Sequence, residues 1–419
     1  MEPTFKWMAA SAKFKEAGLK YIIGEKSLVV IFTAILLDAV GFGLIFPILP
    51  SLLREVTHAD SVAPYIGIMT AIYAVVQFVF APVLGAFSDR MGRRPVLLIS
   101  LSGAAVSYIF MAFGTRLWMV LVGRAIAGLT SANIAVATAY ITDISPVDKR
   151  AARFGVFNAM FGIGFIIGPV LGGLLGDYWL RLPFFTAAVL NLLNLALALF
   201  ILPESHKPGH VKIEVGTLNP LRPIGWAFKV KGILPLITVY FMFMGASEAY
   251  GTCWALWSYD VFRWNAFWVG LSLGAYGICQ ALAQALVSGK AVKLLGERAT
   301  IVFGIACAFL ALIVMAFTQK GWIIFAILPV LGLSSVGTPA LQSLATRQVD
   351  EAQQGQFQGV LASVVGLATI VGPLTFSTIY FSIQRQWPGA IWLSVVVVYA
   401  IVVPLVRGLQ LKKAEPAAT

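Results

Sequence analysis

The chain has 419 residues, of which 59% are hydrophobic and 11% are charged, and its formal net charge is +12 at pH 7. Soluble domains carry about 25% charged residues, so this composition excludes a soluble fold and indicates a polytopic membrane protein. The positive charge does not indicate nucleic-acid binding, because membrane proteins retain Lys and Arg in their cytoplasmic loops.

Residues 1–26 precede the first long apolar segment and combine aromatic residues at helical spacing with lysines such as Lys6 and Lys13. We predict a cytoplasmic amphipathic segment in the inner headgroup layer, with lysines on anionic lipid. The alternative is a basic tail that only fixes the topology.

The apolar segments predict an all-α membrane protein. Crossing the hydrocarbon takes about 20 residues, and on that measure we predict twelve spans in two halves of six, 27–202 and 232–406. A polar linker, 203–231, joins the halves, and a cytoplasmic tail, 407–419, follows them. The predicted spans are 27–52, 64–87, 95–114, 117–143, 154–175, 182–202, 232–258, 268–288, 300–317, 322–345, 358–381 and 389–406.

Lys and Arg residues predict the orientation. With both termini in the cytoplasm, 23 of the 30 fall in tails or cytoplasmic loops, six fall outside, and Arg124 lies within the fourth span. Such a bias predicts this topology.

Two acidic residues lie deep within predicted spans, Asp38 in the first and Glu248 in the seventh. A charge at the bilayer centre costs at least about 2.5–3.5 kcal/mol, so such a residue marks a substrate, ion or proton pathway. We predict that Asp38 is the principal proton-responsive group and is held by Arg124, since burial and a guanidinium act oppositely on proton affinity. The alternative is a purely structural ion pair.

Glu248 is predicted to recognise substrate and to share proton coupling, with Tyr250, Trp254 and Trp257 as an aromatic wall. An acid beside aromatic rings suits cationic amphiphiles. The alternative is a glutamate near the outer headgroups. Further cavity candidates, each of which could instead bridge helices, are Asn133 and Gln280 first, then Gln77, Asn158, Asn191 and Gln284.

The loop after the second span reads Gly-x3-Asp-Arg-x-Gly-Arg-Arg, which is too specific for a plain basic loop. We predict a cytoplasmic latch in which Asp143, at the end of the fourth span, is within reach of Arg93. The latch residues are Gly85, Asp89, Arg90, Gly92, Arg93, Arg94 and Asp143. A degraded copy of the motif begins at Gly289.

The fifth span is rich in small residues that permit close helix packing, and its proline weakens the backbone where a bend can form. The motif residues are Gly164, Gly168, Pro169, Gly172 and Gly173. Gly168 and Pro169 recur 204 positions later as Gly372 and Pro373, which indicates duplicated halves. Such halves place a binding site at their interface.

These motifs resemble those of the major facilitator superfamily: the latch loop its signature loop, the fifth span its antiporter motif, and Arg124 its buried arginine. Residues 27–410 are similar to the drug:proton antiporter branch with twelve spans, within it to the tetracycline-resistance group. The resemblance implies alternating access without ATP, and a latch acid that faces the start of the eleventh span, near Gln358. That group has intramembrane aspartates where this chain has Ser107 and Ala308, and a glutamine in place of Glu248, so we expect a substrate other than tetracycline–metal.

We predict a monomeric, proton-coupled exporter of small amphiphilic molecules in the inner membrane, with protons and membrane lipids as partners and without nucleic acid or cofactor. The alternatives are an importer or uniporter of a metabolite or organic anion recognised by Arg124, and a non-transporting sensor. No metal-site, nucleotide-binding or nucleophile–base motif indicates an enzyme.

Overall fold

The structure, a computed structural model, describes residues 26–206, 215–228, 230, 233–349 and 353–408. The predicted N-terminal amphipathic segment and most of the C-terminal tail lie outside these described residues.

The described residues form twelve long helices, and their sequence order follows the two predicted halves. The first six are α1 Lys26–Ile45, α2 Ala63–Met91, α3 Arg93–Phe113, α4 Leu117–Ile144, α5 Val147–Tyr178 and α6 Leu182–Ile201. The second six are α7 Leu234–Phe262, α8 Ala266–Leu295, α9 Glu297–Phe317, α10 Gly321–Thr346, α11 Gln354–Ile383 and α12 Ala390–Gly408.

Eleven of these helices are long and apolar enough to cross a membrane, and α7 is the exception. It has 29 residues, which is ample length, but Glu248 and several hydroxyl-bearing side chains make it less apolar than the others. The described part of the chain contains no strand, so the all-α prediction is confirmed.

Three predicted spans are interrupted. The first span ends as α1 at Ile45, and a separate helix, Leu49–Thr57, follows a turn that contains Pro47. α4 breaks at residues 130–132 and α10 at residues 335–336. The fourth helix of each half therefore breaks at a corresponding position. Proline lacks the donor that would continue α1. The other two breaks contain Ser131 and Ser335, whose side chains bond locally or across helices.

The two halves repeat one packing scheme. α2 packs on α4 and α3 on α6 in the N-terminal half, just as α8 packs on α10 and α9 on α12 in the C-terminal half. The halves meet along two further helix pairs, α2 with α11 and α5 with α8. A cavity between the halves is therefore bounded by helices of both.

The linker contains a 3-10 turn, Val215–Leu218, and a short helix, Arg222–Ala227, that packs on α11. Ser363 of α11 donates a hydrogen bond to the carbonyl of Pro220 at 2.7 Å. We refer to the linker's side of the molecule as the linker side, which the charge bias predicts to be cytoplasmic.

On the opposite side, polar contacts join the halves. Asp177 of α5 accepts hydrogen bonds from the side chain of Asn265, at 2.6 Å, and from the backbone N–H of Ala266, at 3.0 Å, where α8 begins. Arg54 forms an ion pair with Asp260 of α7 at 3.7 Å. The halves are thus fastened together at the end away from the linker.

Candidate functional site

A cavity of about 470 Å³ lies between the halves, within the size range of small-molecule sites. Its lining comes from α1, α2, α4 and α5 on one side and from α7, α8 and α11 on the other. The side chains that carry the argument below are Phe42, Phe46, Tyr73, Arg124, Phe165, Glu248, Tyr250, Trp254, Tyr276, Gln280 and Thr369.

Arg124 supplies the positive charge of this cavity. Its residue is only 7% exposed, and its guanidinium carbon lies 4.5 Å from the centroid of the Tyr73 ring. The Nε atom is buried without a hydrogen-bond partner, and the described residues provide no ion-pair partner. A guanidinium stacks well on an aromatic face, but the ring does not neutralise its charge.

Hydrogen bonds to Ser131, in the break of α4, hold the Tyr73 ring that lies against Arg124. The Tyr73 hydroxyl and Ser131 Oγ are 2.9 Å apart, and Gln77 Nε2 donates to the same Oγ at 2.8 Å. Ser131 lies outside regular helix, and its hydroxyl forms hydrogen bonds with two side chains of α2. The interruption of α4 therefore positions the platform on which Arg124 rests.

Asp38 is also near Tyr73, but it forms no ion pair with Arg124 among the described residues. Its carboxylate interacts with the side chain of Asn133, the first residue of α4 after the break, and Asp38 does not line the cavity. The predicted ion pair with Arg124 is absent from the described part of the chain. Arg124 instead stacks on the Tyr73 ring, and Asp38 contacts Asn133 in the second segment of α4.

Glu248 supplies the negative charge of the cavity from the C-terminal half. Thr369 of α11 donates a hydrogen bond to its Oε1 at 3.1 Å. Gly372 lies directly behind the side chain, since a Cβ atom there would be 2.7 Å from Glu248 Cβ. The carboxylate is thus supported by α11 and directed towards the cavity.

Aromatic rings surround Glu248, as the sequence predicted for two of three residues. Tyr250 and Trp254 line the cavity, and Tyr276 stacks on both, with ring centroids 6.2 and 6.1 Å apart. Trp257 does not line the cavity and instead packs against Phe262 and Trp392.

The remaining polar candidates are divided by the structure. Gln280 lines the cavity, whereas Gln77 faces a second cavity of about 490 Å³ between α2, α11 and the linker. Asn158 and Gln284 are exposed and line neither cavity. Asn191 is buried and donates to the carbonyl of Ala187. Sequence spacing could not assign these side chains to a helix face, since helix rotation is set by packing.

The predicted latch residues lie at the linker side. Arg93 forms ion pairs with Asp89 and, at 3.2 Å, with Asp143, and Gly92 has φ +103° in the turn. Asp89 has 54% of its side chain exposed and bonds to Arg93 rather than to the start of α11. Glu204 accepts hydrogen bonds from the backbone N–H of Arg93 and Arg94.

The other latch residues contribute less. Arg94 donates to the carbonyl of Leu199 at 2.7 Å, Arg90 is exposed, and a Cβ atom at Gly85 would meet nothing within 4 Å.

The small residues of α5 pack against two neighbours. Gly164, Gly168 and Gly172 face the backbone of α1, where a Cβ atom would lie 2.3–2.7 Å from a carbonyl oxygen. Gly173 faces Ala266 and Phe267 at the start of α8. Pro169 lines the cavity. The motif therefore serves both the packing within a half and the contact between halves.

Sequence reasoning missed three side chains that define this site. Tyr73 was not among the predicted site residues, although an aromatic residue facing a buried arginine is a usable signal. Thr369 is one of several hydroxyl residues on α11, and nothing in its spacing distinguishes it. Glu204 follows α6 and reaches the start of α3, which only the tertiary packing reveals.

The described residues contain no group of three or more His, Cys, Asp or Glu side chains placed to hold a metal ion.

Comparisons with known proteins agree with this geometry. The family description "Major Facilitator Superfamily" matches residues 31–373 and 236–418. The class C tetracycline resistance protein of Escherichia coli is 44% identical over 91% of this chain and 97% of its own length. The class G protein of Vibrio anguillarum is 40% identical over 88% and 94%. The crystal structure of the human organic anion transporter MFSD10 has a TM-score of 0.67 at 22% identity, covering 91% of this chain and 99% of that one.

Proposed function

The chain belongs to the major facilitator superfamily, and from this premise we propose that it is a proton-coupled antiporter that exports small amphiphilic molecules across the inner membrane. It is a multi-pass membrane transporter and not an enzyme. Its relatives are named for tetracycline resistance, so a drug is the substrate class to expect. We propose that it works as a monomer surrounded by membrane lipids.

One observation carries this proposal: a drug-sized cavity at the interface of the halves is lined by charges and aromatic rings from both. Transporters built from repeated halves bind substrate at such an interface and expose it alternately to the two sides. The polar contacts opposite the linker fasten one end of the interface. The latch residues and the glycines of α5 are proposed to control the change between states.

Asp38 is proposed to bind the coupling proton, with Arg124 and Glu248 responding to its state. Asp38 contacts the side chain of Asn133, is near Tyr73 and Tyr108, and is not among the residues that line the cavity. A carboxylate within a membrane helix is costly to keep charged and marks a proton or ion pathway. Separate proton and substrate sites suit an antiporter, since the two ligands then compete through the conformation.

The test is substrate flux in proteoliposomes with an acidic interior. Tetracycline and a series of cationic, neutral and anionic fluorescent compounds are offered outside, and accumulation is followed by fluorescence. We expect accumulation of at least one compound that a protonophore abolishes, and none in protein-free liposomes. Equilibration that the protonophore leaves unchanged would instead support the organic-anion uniporter, which the presence of Arg124 in the cavity also fits.

A further inference from the structure

The cavity contains one positive and one negative side chain, and each comes from a different half. Arg124 projects from α4 and Glu248 from α7. Neither has an ion-pair partner among the described residues. Two opposite charges that face one cavity without pairing leave two sites open to a ligand.

Arg124 lacks a partner that could neutralise it. Its guanidinium rests on an uncharged ring, its Nε atom has no hydrogen-bond acceptor, and Asp38 interacts with Asn133 instead. A buried, unpaired charge is costly unless a ligand or counter-ion completes it. The guanidinium is therefore available to an anionic group, for which its planar donor geometry is suited.

Glu248 is only partly satisfied in the same way. One hydroxyl, that of Thr369, donates to Oε1, and the close backbone of Gly372 restricts where the side chain can move. The carboxylate is therefore held in place on the cavity wall. A cationic amine beside Tyr250 would gain both charge attraction and contact with an aromatic face.

Aromatic rings line the same cavity as these two charges. Phe42, Phe46 and Phe165 line the N-terminal side, while Tyr250, Tyr276 and Trp254 line the C-terminal side. Flat rings in a substrate can stack between such walls. Only a molecule with charges of both signs would neutralise Arg124 and Glu248 together.

We propose that the substrates are aromatic zwitterions whose anionic group binds Arg124 and whose amine binds Glu248. This inference rests on the proposed function and specifies its substrate class. Such a ligand connects the two halves, whereas a simple cation would contact Glu248 and leave Arg124 unpaired. Arg124 is then a specificity-determining residue rather than a partner of Asp38.

The test measures equilibrium binding to the purified protein in detergent, by ligand fluorescence, without a pH gradient. The probes share one scaffold: a piperazinyl-quinolone carboxylic acid, its methyl ester, which lacks the anion, and its N-acetyl derivative, which lacks the cation. We expect the zwitterion to bind about tenfold more tightly than either derivative, as one charged hydrogen bond predicts.

Variants assign the two charges. Arg124→Gln should remove the preference for the acid over the ester, and Glu248→Gln the preference for the amine over its N-acetyl form. Arg116→Gln, at an exposed arginine before α4, and Asp60→Asn, at an exposed acid, are controls expected to keep both preferences. Because Arg124→Gln could impair folding, Arg124→Lys is measured too and should retain part of the preference.

Equal binding of the three probes to the unaltered protein would overturn the proposal, and so would variants that weaken all probes equally. Both results are independent of the proposed antiport. If pH-driven flux were present without a zwitterion preference, only this inference would fail. If the preference were present without pH-driven flux, the proposed coupling would fail and this inference would stand.

Discussion

Three side chains of the N-terminal half, Tyr73, Gln77 and Ser131, form the N-terminal trio. Their counterparts 203 or 204 positions later, the C-terminal trio, are Tyr276, Gln280 and Ser335. The N-terminal trio is hydrogen-bonded together through Ser131. In the C-terminal trio, Ser335 instead donates to the carbonyl of Gly332 at 2.8 Å, and Gln280 lines the cavity.

The difference shows how a repeated fold acquires an asymmetric site. Both trios occupy corresponding helices beside a helix break, so the backbone arrangement is shared. The N-terminal trio holds the Tyr73 ring under Arg124. In the C-terminal trio, the Tyr276 ring stacks on Tyr250 near Glu248. Shared positions support the fold, and we propose that the departures between the halves supply substrate recognition.

The turns that precede α3 and α9 show the same relation in their charges. Gly92 and Gly296 both have positive φ, +103° and +80°. After the first turn, Arg93 pairs with Asp143 at 3.2 Å. In the second, the counterparts Glu297 and Arg347 pair at 3.2 Å with the signs exchanged. Both halves therefore have an ion pair at this place, with the acidic and the basic residue exchanged.

The largest effect is expected at Asp38, because we propose that this residue binds the coupling proton. Asp38→Asn keeps a polar side chain against Asn133 but cannot release a proton, so pH-driven accumulation should fall to the level of protein-free liposomes. Binding of the zwitterionic probe should change little, because Asp38 does not line the cavity. Asp60→Asn is the matched control. Full pH-driven transport by Asp38→Asn would contradict the proposal that Asp38 binds the coupling proton, and Glu248 would be the next residue to test.

The exchanged ion pairs predict a rescue. Arg93→Glu alone would place a further carboxylate beside Asp89, Asp143 and Glu204, and should cost about 1–3 kcal/mol of stability. Adding Asp143→Arg should recover part of this loss, because the C-terminal half accepts this pair with opposite signs. Recovery is incomplete because the introduced glutamate follows Asp89, whereas Glu297 follows Lys293. Thermal unfolding midpoints in detergent provide the measurement.

The mirror experiment, Glu297→Arg with and without Arg347→Glu, is the internal control. An Arg93→Glu/Asp143→Arg double variant no more stable than Arg93→Glu alone would show that the first turn requires its basic residue at position 93.

Sequence predicted the parts of the molecule that depend on composition and spacing. Apolar runs marked the helices, and glycines at a constant offset marked the repeat. It did not predict that Arg124 faces Tyr73 while Asp38 faces Asn133, since helix rotation and the break in α4 decide this. It also did not reveal Thr369, because its hydroxyl contacts the carbonyl of Val365 as hydroxyl residues in helices commonly do, and its contact with Glu248 depends on tertiary packing.

A smaller effect should separate the two trios. Ser131→Ala removes the shared partner of Tyr73 and Gln77 and loosens the ring beneath Arg124. We expect binding of the zwitterionic probe to weaken about two- to tenfold, the range for one neutral hydrogen bond. Ser335→Ala removes only a bond to its own helix and should leave binding unchanged. Equal losses of probe binding in the two variants would mean that the N-terminal trio does not position Arg124.

The smallest effect is expected at Asp89, whose counterpart in the second turn is Lys293. Asp89 is half exposed here and bonds to Arg93, so removing its charge costs little in this state. If Asp89 caps the start of α11 in the opposite state, Asp89→Asn destabilises that state by about 0.3–1 kcal/mol, which is roughly a two- to fivefold shift.

The shift can be measured from the linker side with an impermeant maleimide. The reporter is Ala362→Cys, in the second cavity, in a background whose native cysteines Cys253, Cys279 and Cys307 are replaced by alanine. Asp89→Asn should raise the alkylation rate by that factor, because the state that is fastened opposite the linker gains population. Lys293→Gln should leave the rate unchanged, since the second turn has no acid at this position. An unchanged alkylation rate in Asp89→Asn would show that this loop is a structural turn and not a latch. The two turns would then differ only in the sign of their ion pairs.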